Sequence, residues 1–265
     1  MTEKIHTVTL IGAGGVATSL APAINMVGMQ IECIYSRNIL NAKTIASQCN
    51  CNATDSLPDI PLHSDLYIIC VTDDAVQSIA AQLKLDDNSI CVHTAGSLSM
   101  NLLSDVCKNY GVFYPMQTFS RGRIVPYDEV PVFIEGNNDE TIQRLHIFAS
   151  QLSHNVHDLD EVGRRKLHLA AVIACNFSNH CYAIADELLK QQGLTFSVLL
   201  PLVDETAKKV HSLSPFEAQT GPAVRNNQSV LDRHKSILAE RKDLLEIYNL
   251  LTRHIIETHT NKNHD

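Results

Sequence analysis

The chain has 265 residues, 45% of them hydrophobic and 19% charged, with a formal net charge of −8 at pH 7. That length allows one large or two ordinary domains, and the composition is that of a globular protein. The acidic balance leaves no electrostatic footprint for nucleic acid or an anionic membrane, and no apolar run approaches the ~20 residues that span a bilayer. We therefore expect a cytoplasmic enzyme or binding protein whose partner is a small molecule. Met1-Thr2-Glu3-Lys4 leads straight into a strand and leaves no room for a signal peptide. Cys33, Cys70, Cys91 and Cys175 lie in apolar runs, no Cys-x-x-Cys pair occurs, and the histidines lack His-Glu-x-x-His spacing. The expectation is reduced thiols and no metal site.

In chain order, Val8-Thr9-Leu10-Ile11 is a continuous apolar run that breaks into Gly12-Ala13-Gly14-Gly15-Val16-Ala17. A strand buried on both faces reads this way, and glycines at its end permit a tight turn. The helix that follows aims its free N–H groups and positive dipole end at whatever lies above the strand, a place that suits a pyrophosphate. Gly12-x-Gly14-x-x-Ala17 has the dinucleotide spacing with alanine as the third small residue. Methyltransferases and flavoproteins use similar turns, so the motif alone leaves those readings open.

The helix is predicted from Val16 to about Val27, stopped by Gly28, with Pro22 kinking it or shifting its start. Ile31–Tyr35 is the second strand. It ends in Ser36-Arg37-Asn38, ~20 residues past the glycines, where NAD enzymes carry a carboxylate for the ribose 2′-hydroxyl. A hydroxyl and a guanidinium would instead bind a 2′-phosphate, which favours NADP; an ordinary polar turn is the other reading. A helix over Asn41–Gln48, a loop over Asp55–His63 and a buried strand over Leu66–Val71 follow. Thr72-Asp73-Asp74 then combines a strand's carboxyl end with a helix N-cap.

Ser89–Val92 is the next strand, and His93-Thr94-Ala95-Gly96-Ser97 follows it at the sheet edge where open α/β folds bind ligands. Gly111–Tyr114 leads into Pro115-Met116-Gln117-Thr118-Phe119-Ser120, Val130–Glu135 is a further strand, and Asp139–Leu152 a helix. Alternating strands and helices imply a doubly wound parallel sheet over residues 1–157.

From Glu161 onward only helical periodicity remains, interrupted at Gly193, Pro201, Ser214-Pro215 and Thr220-Gly221-Pro222. Residues 158–265 therefore read as an all-helical domain, with a frayed tail from Thr258. The segment Leu167–His180 is apolar nearly all round and is predicted to be buried. At ~100° per residue, His168, Cys175 and Asn179 fall together with Asn176 at the margin. That cluster is either a satisfied core network or a set of groups facing a site. Arg225, after the Gly-Pro turn, suits a substrate carboxylate or phosphate, and equally an interhelical salt bridge. A core of only ~100 residues is incompletely buried, so a second subunit is expected to complete it.

Gly12–Ala17, Ser36–Asn38, His93–Ser97, Tyr114–Phe119, His168–Ala171 with Asn176, and Thr220–Arg225 occur in an order that resembles a bacterial family. Its members are Rossmann-like proteins with a helical C-terminal domain of unknown function. They are labelled NADP oxidoreductases of the coenzyme F-420 (deazaflavin)-dependent type. The wider relatives are pyrroline-5-carboxylate reductase, ketopantoate reductase and 6-phosphogluconate dehydrogenase-like enzymes, whose helical domains often dimerise. The chain departs from the family pattern at Tyr114, where many relatives have histidine, and at Asn226-Asn227, where Gly-Asp is usual.

The resemblance implies an α/β fold with an N-terminal Rossmann sheet, an all-α C-terminal domain like that of 6-phosphogluconate dehydrogenase, and a homodimer. It also implies hydride transfer between NADP(H) and a small, anionic carbonyl or imine bound between the domains; the label adds a deazaflavin on nucleotide-domain similarity alone. The cofactor is assigned to Gly12, Gly14, Gly15, Val16, Ala17, Ser36, Arg37, Val71, Thr72 and Asp73. The catalytic candidates are His93 and His168 as proton donors, with Asn176 orienting the reacting group. Gly96, Ser97, Gln117, Thr118, Thr220, Gly221 and Arg225 are the substrate candidates. The alternative is a sensor or scaffold that binds NADP without turnover.

Overall fold

A computed structural model describes residues 4–261 of the chain. It divides after Asn176 into two compact units. The first is built on an eight-stranded sheet: β1 (Thr7–Ile11), β2 (Gln30–Tyr35), β3 (Asn52–Thr54), β4 (Leu66–Ile69), β5 (Ile90–His93), β6 (Asn109–Pro115), β7 (Val132–Gly136) and β8 (Val156–Asp158). The order is β3-β2-β1-β4-β5-β6-β7-β8. Its helices are α1 (Gly15–Met26), α2 (Ile39–Cys49), α3 (Asp73–Ala80), α4 (Asp139–Leu152) and α5 (Glu161–Ala171).

Side chains alternate across the sheet, so neighbouring residues of one strand enter different cores. Val8, Leu10, Leu66 and Ile68 pack with Leu20 and Ile24 of α1 and with Phe148 of α4. Ile11, Tyr67 and Ile69 pack on the other face with Val76 and Ile79 of α3. Both faces being covered explains why β1 and β4 read as unbroken apolar runs.

The order turns outward in both directions from β1 and β4, so the carboxyl ends of these strands open a crevice at the switch point. Two strands depart from the expected parallel arrangement: β7 runs antiparallel to β6, and β8 runs parallel to β7. The connection from Met116 to Pro131 holds no crossover helix, and a parallel return needs one. The short strands β3 and β8 at the outer sides were not expected from the sequence. Pro22 neither breaks α1 nor shifts its start past Gly15, because Ala17, Leu20, Ala21 and Ile24 lock both sides of it into the core. Gly28, with φ +78°, ends it as expected.

The second unit contains α6 (Ser178–Lys190), α7 (Leu200–Lys209), α8 (Gln228–Ile237) and α9 (Lys242–Asn261). A π-helical segment, Val172–Phe177, joins α5 to α6. The long apolar helix is not buried as its composition suggested: Leu169, Ile173 and Phe177 are 59%, 54% and 59% exposed. Among the described residues from 177 onward, only Ala223, Leu231, Leu238 and Leu244 are buried. α9 stays helical through Asn261, past Thr258 where the sequence predicts fraying. Lys262–Asp265, and Met1–Glu3 at the other end, lie outside the described residues. No helix among the described residues is long and apolar enough to cross a membrane.

Candidate active site

Two glycines of the first turn, Gly12 and Gly15, have steric reasons. Gly12 has φ +134°, and a Cβ there would lie 2.4 Å from the Cys70 carbonyl oxygen. Its N–H donates to the Tyr35 carbonyl at 2.8 Å, which tucks the turn between β2 and β4. A Cβ on Gly15 would stand 2.7 Å from the Phe119 carbonyl oxygen, so the β6–β7 connection rests on the start of α1. Ala17 is fully buried, and Val16 is packed against the core.

Gly14 occupies the N-cap of α1 with no side-chain cap, and the first turn has no acidic residue. The leading N–H groups thus face a space that a Cβ at position 14 would enter without collision, its nearest neighbour being 3.9 Å away. This is a helix terminus with its positive end unopposed, and it fits a pyrophosphate.

At the end of β2, Asn38 caps α2 by accepting from Leu40 N at 3.0 Å, and Ser36 Oγ accepts from Asn38 N at 3.3 Å. A polar turn accounts for those two residues. Arg37 remains exposed, with no ion pair among the described residues. At the end of β4, Val71 is half-buried, while Thr72 and Asp73 are exposed. Thr72 is the N-cap of α3 without a side-chain bond. Asp73 does not cap; its Oδ2 accepts from Ser97 Oγ at 2.6 Å, tying the loop after β5 to the one after β4.

The ring of His93 is fully buried at the end of β5, with Nδ1 accepting from Ala95 N at 3.2 Å and Nε2 3.3 Å from the Ser99 carbonyl. Burial, and next the Arg164 guanidinium, lower its pKa to about 4. Both ring nitrogens are thus engaged with the backbone of the loop that the ring holds.

Arg164 was not singled out by the sequence. It is fully buried on α5, where Nη1 donates to the carbonyls of Ala95, Gly96 and Leu98 at 3.1, 3.1 and 2.7 Å. Nη2 pairs with Glu135 Oε2 of β7 at 2.8 Å, and only Nε lacks a partner. Exposed Arg165 adds a bond from Nε to the Ser97 carbonyl at 3.1 Å. One guanidinium thus fixes the loop after β5 to α5 and β7.

The same helix carries His168 in the first unit, half-buried. Its Nδ1 lies 3.1 Å from the Tyr114 hydroxyl at the end of β6. A Cβ on Gly96 would approach that nitrogen to 2.6 Å. The ends of β5 and β6 and the helix α5 therefore converge on one imidazole. Burial raises the Tyr114 phenol above its ordinary pKa, with Arg164 opposing, so the hydroxyl keeps its proton.

The remaining candidates are dispersed. Gln117 Oε1 accepts from Thr118 N at 2.8 Å and from Thr118 Oγ1 at 3.3 Å, and both side chains are exposed. Asn176, in the π-helical segment, is exposed, as are Cys175 and Asn179, so no buried network of His168, Cys175 and Asn179 exists. Thr220, Gly221 (φ +114°) and Arg225 belong to the second unit, and Arg225 is exposed without an ion pair among the described residues. The described residues contain no cluster of three or more His, Cys, Asp or Glu side chains able to hold a metal.

The glycine turn, the switch-point crevice and the unopposed helix terminus define a Rossmann-type dinucleotide-binding protein. Residues 7–96 match the family model for coenzyme F420-dependent NADP oxidoreductases, and residues 130–255 match DUF2520, a domain of unknown function. A crystal structure from Bacteroides fragilis, described as "putative NADP oxidoreductase BF3122", is 43% identical to the chain. It covers 97% of this chain and 100% of its own, with a TM-score of 0.90. The chain belongs to the family of that NADP oxidoreductase.

More distant likenesses concern the fold. The reductive aminase from Aspergillus terreus, solved with NADPH and ethyl-5-oxohexanoate, is 16% identical over 97% of this chain and 95% of its own (TM-score 0.72). A pyrroline-5-carboxylate reductase from Coxiella burnetii is 13% identical over 98% of each chain (TM-score 0.56). The shikimate biosynthesis protein AroDE of Chlamydia muridarum is 29% identical over 122 residues, 45% of this chain, and the match spans only 24% of that curated relative.

Proposed function

We propose that the protein binds NADP(H) and transfers a hydride to or from a small, anionic carbonyl or imine substrate. The observation that carries this reading is the start of α1, where Gly14 leaves the leading N–H groups without a side-chain cap and no acidic residue opposes the dipole. On this reading Gly12, Gly14, Gly15, Val16 and Ala17 cradle the pyrophosphate. Ser36 and Arg37 take the 2′-phosphate, and Val71, Thr72 and Asp73 border the nicotinamide ribose. The nicotinamide, when bound, supplies or accepts the hydride.

The chain's own contribution is a proton and a position. His168 exchanges a proton with the substrate, and Asn176 orients the reacting group. Gly96, Ser97, Gln117 and Thr118 shape the floor of the substrate site. That the A. terreus reductive aminase of the same fold was solved with NADPH and an oxo ester supports a carbonyl as the reacting group. The exposed Leu169, Ile173 and Phe177 support a homodimer through the helical region, with a solution mass twice 29.3 kDa. Titration with NADPH and NADH tests the cofactor assignment. NADPH is expected to bind at least ~10-fold tighter, a difference of roughly 1.4 kcal/mol, and equal affinity would refute it.

A further inference from the structure

Tyr114 stands at the centre of a ring cluster in the first unit. The ring lies near the carboxyl end of β6 at 8% exposure, with centroid distances of 6.5 Å to Phe133 and 6.1 Å to His168. Tyr114 and His168 meet edge to face at 66°, with the hydroxyl 3.1 Å from Nδ1. Gly96 closes another side: its missing side chain is what admits the imidazole. Nε2 of His168 has no hydrogen-bond partner among the described residues.

We propose that Tyr114 is the positioning residue of His168, its hydroxyl fixing the imidazole so that Nε2 is the nitrogen that exchanges a proton with the substrate. This rests on the reading of His168 as the proton donor. A hydroxyl is both donor and acceptor, so it holds the ring in either charge state. When His168 is cationic, Nδ1–H donates to the phenol oxygen. When Nδ1 is bare, the phenol O–H donates to it. In the reductive direction, the Nε2–H bond breaks and an O–H or N–H bond forms on the substrate atom that received the electron pair. The imidazole is left neutral with Nδ1–H on Tyr114, and solvent returns a proton to Nε2. Neither side chain is oxidised or reduced. Histidine, which many relatives carry at this position, offers a comparable donor and acceptor at shorter reach.

The test compares Tyr114→Phe, Tyr114→His and His168→Asn in the full-length protein. Tyr114→Phe keeps the ring against Phe133 and removes only the hydroxyl. Its NADPH affinity is expected to stay within about twofold of the wild type, with KM little changed and kcat down about 10- to 100-fold. Tyr114→His is expected to recover part of that loss. Nitrogen NMR of His168 gives a readout that needs no substrate: the Nδ1 resonance is expected to shift in Tyr114→Phe, which removes its hydrogen-bond partner, while the Nε2 resonance stays nearly in place. An unchanged Nδ1 resonance, or full kcat in Tyr114→Phe while His168→Asn is inactive, would overturn the role of Tyr114 alone. Full turnover in His168→Asn would instead overturn the reading of His168 on which it rests.

Discussion

A side chain at position 96 and the ring of His168 exclude each other: a Cβ on Gly96 would stand 2.6 Å from Nδ1, 2.8 Å from Cγ and 3.0 Å from Cβ of the histidine. The loop after β5 and helix α5 are therefore fitted to one another at the imidazole. Gly96→Ala is expected to push the ring off the Tyr114 hydroxyl. Overpacking of this kind costs about 1–3 kcal/mol, while loss of a placed acid lowers turnover by ~10²-fold or more. Thermal melting and kcat, measured beside NADPH affinity, check this. Normal kcat would show that the ring tolerates displacement.

Arg164 holds the same loop from below. Replacing it with methionine strips the donor from three carbonyls and leaves Glu135 without its cation. Breaking a buried pair from one side costs about 3–5 kcal/mol. Urea unfolding of Arg164→Met is expected to show a loss of that size, and Glu135→Gln a smaller one, because an amide oxygen still accepts from Nη2. A loss below about 1 kcal/mol in Arg164→Met would mean the clamp is idle.

How much of this was legible in the sequence depended on range. β1 and β4 were visible because strands covered on both faces are written as apolar runs, and the glycine turn because its constraint is local. The direction of β7 was not visible, since nothing in Val130–Glu135 encodes which neighbour it pairs with. Arg164 looked like one more charge on a helix until the fold placed three carbonyls around it. Tyr114 read only as a departure from the family pattern, because its partner lies 54 residues away. The helix around Ile173 was read as core because it is apolar all round, yet within one chain little covers it.

His93 gives the protein a pH dependence unrelated to catalysis. The folded ring takes a proton only near pH 4, against 6.5 for the free side chain. Between those values unfolding takes up a proton, so the contribution of His93 is complete above pH 6.5 and is lost as pH falls toward 4. From pH ~7 to ~5 the loss is about 2 kcal/mol. His93→Asn, which can still accept from Ala95 N, is expected to flatten the stability curve over that window. A curve parallel to the wild type would contradict a buried neutral ring.

Arg37 is the residue proposed to distinguish the two nicotinamide cofactors. It is exposed at the end of β2 with no ion pair among the described residues, beside a turn that Ser36 and Asn38 already satisfy. Arg37→Ala is expected to weaken NADPH by about 1.5–3 kcal/mol, one to two decades in Kd, and to leave NADH nearly unchanged. Equal weakening of both, by calorimetric titration, would remove the 2′-phosphate from this position.

On the proposed function, NADPH turnover by this chain passes through His168. The most direct measurement follows the absorbance of reduced nicotinamide with wild-type protein and His168→Asn across a panel of oxo acids, oxo esters and cyclic imines, with NADPH affinity measured in parallel. The wild type is expected to consume NADPH in a substrate-dependent way, and His168→Asn to fall ~10²–10⁴-fold with NADPH affinity intact. Tight NADPH binding by the wild type, with no consumption against any member of the panel, would contradict it and make the protein a reader of NADPH.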